Sequence, residues 1–145
     1  MEQNIGRWIS LPTFTDPRGN LTAIDLAQTA PFAIRRVFYI YGMPPDATRG
    51  NHATFDPEFI ICLSGRCRLR LHDGKEETAV SLSSPQEGYY IPPLLWRTFD
   101  SFSEDCVLLC FSDRAYRTED CIRNFDDFLA LKNGNEPNGQ KADPS

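Results

Sequence analysis

His52 is the residue whose type and setting best suit it to chemistry. It lies in Gly50-Asn51-His52-Ala53-Thr54, with Glu58 four residues after Thr54 and Gly65 seven after Glu58. Imidazole takes and gives protons near neutral pH, its unperturbed pKa being about 6.5. Residues two apart on a strand share a face, so His52 and Thr54 are expected to look the same way. The other histidine, His72, falls in the turn sequence His72-Asp73-Gly74 and is read as a surface residue.

The second chemical signal is the kind of cation. Twelve of the fifteen basic residues are arginine, and the guanidinium fork suits phosphate and carboxylate. In a chain of net charge −5, this argues for a local anion site and against general binding to nucleic acid or an anionic membrane. A surface that merely uses arginine for lysine is the alternative. Arg36 and Arg49 are read as phosphate clamps or as ion-pair partners of Glu58 and aspartates. Arg68 and Arg70 alternate with Cys67, Leu69 and Leu71, the pattern of a solvated face. Tyr39 and Tyr41 share a face with Val37, which makes them core residues or sugar contacts. Trp96 stacks on a ligand or packs, and Tyr116 packs on a helix or touches a ligand.

The elements that must position these groups are short strands. Apolar or alternating runs occur at Leu21–Ile24, Ile34–Tyr41, Phe59–Leu63, Cys67–Leu71, Ala79–Leu82, Tyr89–Ile91, Trp96–Phe99 and Cys106–Phe111. Turn chemistry separates them, with Asp73-Gly74 a strong hairpin signal. Many short strands at this spacing predict a sandwich or closed barrel. After Thr118 the spacing of Ile122, Phe125, Phe128 and Leu129 predicts a helix ending at Asn133-Gly134. Residues 1–134 are expected to form one domain, and 135–145 a disordered tail. Phe59–Leu63 is apolar at every position, so its second face needs a cover, a second sheet or a second subunit. The hydrophobic content of 41% is enough for a core. Cys62, Cys67, Cys106 and Cys110 lie in apolar runs, as free thiols in a reducing compartment do. With no signal-peptide pattern at the start and no span-length apolar run, the cytoplasm is expected.

The spacing from Gly50 to Gly65 resembles the first motif of the cupins, where two histidines flanking one residue and a later glutamate point into a barrel. The second motif, a proline followed by a histidine, falls at Pro92 to Arg97. Thr54 and Arg97 occupy the places of the second and third histidines. A divalent ion needs three or four imidazole, carboxylate or thiolate donors. His52 and Glu58 alone remain, and Arg97 repels a cation, so neither metal nor cofactor is expected.

A more specific resemblance is to the WxcM-like, cupin-fold dTDP-4-oxo-6-deoxyglucose 3,4-ketoisomerases, from about Asp16 to Phe128. It rests on Asp16-Pro17-Arg18-Gly19-Asn20-Leu21, on the stretch from Pro31 to Ile40, and on Arg49-Gly50-Asn51-His52-Ala53. It continues in Cys62 to Cys67, in Asp105-Cys106-Val107, in Tyr116, and in the stretch from Ile122 to Phe128. The resemblance implies an all-β, double-stranded β-helix (jelly-roll) barrel with a C-terminal α-helix, a homodimer, a dTDP-linked sugar as ligand, and acid–base residues inside the barrel. It implies catalytic roles for His52, Tyr39, Thr54 and Glu58, and substrate binding by Arg18, Arg36, Arg49, Tyr41, Arg97 and Tyr116. The family usually shows His-Ala-His and Trp-His where this chain has His52-Ala53-Thr54 and Trp96-Arg97. The expected reaction is a metal-independent shift of the C4 ketone to C3. An epimerase on the same class of sugar, and a non-catalytic nucleotide-sugar-binding module, are the alternatives.

Overall fold

The computed structural model describes residues 5–113 and 121–134. Its architecture is that of the expected cupin-type barrel: two antiparallel five-stranded sheets face each other across one core. The strands are β1 (Arg7–Ser10), β2 (Thr13–Asp16), β3 (Gly19–Thr22), β4 (Arg36–Tyr41), β5 (Arg49–Thr54) and β6 (Glu58–Ser64). They continue with β7 (Cys67–His72), β8 (Glu77–Leu82), β9 (Glu87–Ile91), β10 (Trp96–Asp100), β11 (Val107–Ser112) and β12 (Cys121–Ile122), before helix α1 (Phe125–Lys132). One sheet has the order β1-β9-β6-β11-β4 and the other β12-β5-β10-β7-β8, while β2 and β3 pair only with each other.

Alternation explains the core. Ile60 and Cys62 of β6, Leu69 and Leu71 of β7, Phe99 of β10, and Leu108 and Cys110 of β11 meet between the sheets. The apolar run of β6 is explained as well. Phe59 and Ile61 point to the opposite face, where Leu11 and Phe111 join them and Ile24, Phe32 and Ile34 pack over them. The cover on this part of β6 is therefore a segment of the same chain. Gly88 opposite makes that packing possible, because a Cβ there would meet the Phe59 ring at 2.3 Å.

Two expectations need correction, those for Ile122 and His72, while Trp96 takes the packing alternative and Arg68 and Arg70 face outward as expected. Ile122 belongs to β12, paired with Ala53, and the helix starts only at Phe125. Asn124 caps it by accepting from the Asp127 amide, and Asp126 and Asp127 complement the N-terminal dipole. His72 is the last residue of β7 rather than a surface turn residue; its ring packs edge-on against Phe125 and Phe128. Trp96 packs on the same two phenylalanines. On that outward face Arg68 and Arg70 also converge on Asp100. Tyr116 and the tail 135–145 lie outside the described residues.

Candidate active site

A cavity of about 580 Å³ lies against β4, β5, β6, β10 and β12, a volume typical of small-molecule sites. His52, Thr54, Glu58, Arg36, Arg49, Arg97 and Arg123 line it. The sequence had brought the first six together. Arg123 was missed as a site residue because its stretch read as helix, and a helical period gives no clue to which strand it follows. The β12 pairing of Cys121 with Thr54 brings this stretch to the wall.

The geometry at His52 fixes its chemistry. Its Nδ1 lies 2.8 Å from the Gly50 carbonyl oxygen. A carbonyl only accepts, so Nδ1 carries the proton and Nε2 is left with the lone pair. Burial, and after it the Arg97 guanidinium, hold His52 below its ordinary pKa; the Gly50 bond and Glu58 oppose this, and Arg123 adds to the lowering. The ring is thus neutral and basic at Nε2 near pH 7.

Arg97 is opposite His52 on β10 and fully buried. It donates through one terminal nitrogen to Glu58 at 2.8 Å and through the other to the Leu95 carbonyl. Its Nε is buried without a partner among the described residues. The donor set does not fit a divalent cation. His52 offers one imidazole, and Glu58 is already held by a guanidinium whose charge opposes a metal ion.

The remaining candidates divide. Arg36 lies over the Phe38 ring at 4.3 Å, on the inward side of β4. Thr54 faces the cavity as expected, but its hydroxyl donates to the Asp56 carbonyl. Tyr39 and Tyr41 border the cavity, yet their rings depart from the expected interior place. Alternation on β4 turns Phe38 and Ile40 to the core, so the tyrosines stack on each other on the outer face, 63% and 67% exposed. Arg18 does not reach this cavity. It sits at the tip of the β2–β3 hairpin, its side chain 89% exposed, and pairs with Asp16.

Comparison with known proteins gives the family. A family model described as WxcM-like, C-terminal (FdtA) matches residues 4–133. The chain belongs to the WxcM-like family. One family relative, a TDP-4-oxo-6-deoxy-alpha-D-glucose-3,4-oxoisomerase of Aneurinibacillus thermoaerophilus, is 37% identical over 121 residues, which cover 83% of this chain and 87% of that protein. Among solved structures, the 3,4-ketoisomerase QdtA of Thermoanaerobacterium thermosaccharolyticum, as a His-to-Asn mutant with TDP-4-keto-6-deoxyglucose, superposes with a TM-score of 0.88. It is 36% identical, over 92% of this chain and 97% of that one. WlaRA of Campylobacter jejuni, a TDP-fucose-3,4-ketoisomerase, gives 0.83 at 32% identity, over 89% and 96%.

Proposed function

We propose that this WxcM-like protein is a metal-independent isomerase that moves the ketone of a dTDP-4-oxo-6-deoxyhexose from C4 to C3, for deoxyamino-sugar biosynthesis. The observation that carries the proposal is His52, neutral, with Nε2 available beside the buried Arg97–Glu58 pair. The ketone at C4 acidifies the C3 hydrogen, so a base of near-neutral pKa suffices. Nε2 takes that proton and the electron pair becomes the C3–C4 double bond of an enediolate, whose negative charge is favoured by the arginines lining the cavity. Return of a proton to C4, with O3 losing its proton and O4 gaining one, completes the shift with no change in composition. Thr54 cannot replace a second imidazole as acid, so His52 both takes the proton and delivers it on one sugar face.

Four arginines against the carboxylates Asp56 and Glu58 suit a diphosphate, and Arg36 and Arg49 are assigned to it. A homodimer is part of this reading. Val37, Tyr39, Tyr41 and Leu63 leave an apolar surface exposed on the outer sheet face, and the hairpin adds Phe14 and Leu21. Any contact between Arg18 and a nucleotide would then cross the dimer. The five free cysteines suit the cytoplasm. Among the described residues no helix is long and apolar enough to cross a membrane.

One feature favours a second reading, a non-catalytic nucleotide-sugar-binding module: Thr54 stands in the cavity where the family resemblance implies a second imidazole. Two substitutions separate the readings. His52→Asn should lower turnover of dTDP-4-oxo-6-deoxyglucose by at least about 10²-fold while leaving dTDP affinity intact. Thr54→His should preserve or raise it. A wild type that binds dTDP without turnover, with activity gained in Thr54→His, makes the protein a binding module; full turnover in His52→Asn removes His52 as the base.

A further inference from the structure

Arg49 and His52 both line the cavity, although residues three apart on a regular strand face opposite ways. The register between β5 and β10 shows how this is achieved. His52 lies opposite Arg97, Gly50 opposite Thr98 and Arg49 opposite Phe99, with a shift between Arg97 and Thr98. Asn51 is the extra residue of a β-bulge, which re-aims side chains on either side of it. Gly50 and Asn51 both take left-handed backbone angles, with φ of 81° and 53°. Gly50 has no alternative, since a Cβ there would meet the Arg97 carbonyl oxygen at 2.8 Å. Asparagine tolerates this conformation better than most residues. Its side-chain oxygen also accepts from the Thr98 hydroxyl at 3.2 Å, across the bulge. The Gly50 carbonyl that holds the His52 Nδ1 proton belongs to this same turn of backbone.

We propose that Asn51, latched by Thr98, is a positioning residue that sets the tautomer of His52 and brings Arg49 to the same cavity. It acts through the bulge and touches no reacting atom. The catalytic part of the inference rests on the isomerase reading above; the tautomer part does not.

The test is to read the two imidazole nitrogens of His52 by ¹⁵N NMR, assigned by comparison with His52→Asn, together with the turnover number and dTDP affinity. Wild type should show Nδ1 protonated and Nε2 unprotonated above the His52 titration. Asn51→Ala and Thr98→Val should shift the signals toward the opposite tautomer and lower kcat by about tenfold to 100-fold, the scale of a misplaced catalytic group. Asn51→Ala should also weaken dTDP binding by turning Arg49 away. Asn51→Asp keeps an acceptor for Thr98 and tolerance of the left-handed angle, and should restore the tautomer and the rate. A wild type with Nε2 protonated overturns the proposal, as does an unchanged tautomer in both variants, whatever their rates. If Asn51→Ala fails to fold, Thr98→Val decides alone. A tautomer that shifts as expected in a protein with no turnover upholds the positioning role and rejects the isomerase reading.

Discussion

The neutrality of His52 comes first from burial and then from the Arg97 guanidinium facing it, with Arg123 adding to both. Its pKa in the folded protein therefore lies below the unfolded value of about 6.5. The rate should be flat near pH 7 and fall on the acid side with an inflection below about 6.5, where Nε2 becomes protonated. Stability follows the same sign. The His52 contribution is complete above about pH 6.5 and is lost as the pH falls toward the folded pKa, because the unfolded chain takes up the proton first. A kcat/KM profile, and a denaturation series over the same pH range, check both; an acid limb centred above 6.5 would contradict the account. Residue type and spacing made His52, Glu58 and Arg97 legible in the sequence. Tyr39 and Tyr41 were not, because β4 carries large apolar or aromatic groups on both faces, and only the core shows which face is inside. The Gly50-Asn51 pair within a strand was a bulge signal, and it was passed over.

Helix α1 is docked by aromatic side chains. Phe128 is fully buried, with Phe125, Trp96 and His72 around it, and β12 just before the helix lies along Thr54 and Ala53 of β5. Phe128→Ala should cost about 3–5 kcal/mol, the range for a large aromatic removed from a packed site. Phe125→Ala, at a half-exposed ring, should cost about 1 kcal/mol. Urea unfolding of both variants measures this, and equal losses would show that the helix is not anchored as described. The strands from β6 to β11 were readable because turns separate short apolar or alternating runs. Strands β1 and β2 were not, since Arg7–Ser10 and Thr13–Asp16 carry few apolar residues and gain their place from partners. Strand β12 was absorbed into the predicted helix, because Ile122 falls by chance three residues before Phe125.

At the scale of the whole molecule, the barrel leaves apolar side chains exposed on one sheet face and on the hairpin. Tyr39 and Tyr41 on edge strand β4 continue the face that Ile24, Phe32 and Ile34 cover further along, and Phe14 and Leu21 lie on a hairpin paired with no other strand. In the proposed dimer, a second copy would cover both surfaces. Sedimentation equilibrium should give twice the chain mass for wild type, and the double substitution Tyr39→Lys, Tyr41→Lys should give monomers; a monomeric wild type would contradict the dimer. The unbroken apolar run of β6 foretold a face that needs a cover; the same chain supplies it at Phe59 and Ile61, while Leu63 stays exposed. It could not say that part of the cover comes from residues 23–35, because a segment without periodicity reveals no docking place.

The central claim is that His52 carries a ketone from C4 to C3. Wild-type protein incubated with dTDP-4-oxo-6-deoxyglucose in D₂O, followed by NMR, tests it most directly. The account predicts a product with its carbonyl at C3 and a new C–H or C–D bond at C4, absent when His52→Asn is used. A carbonyl that stays at C4, with deuterium entering at C3 or C5 or nowhere, would contradict it.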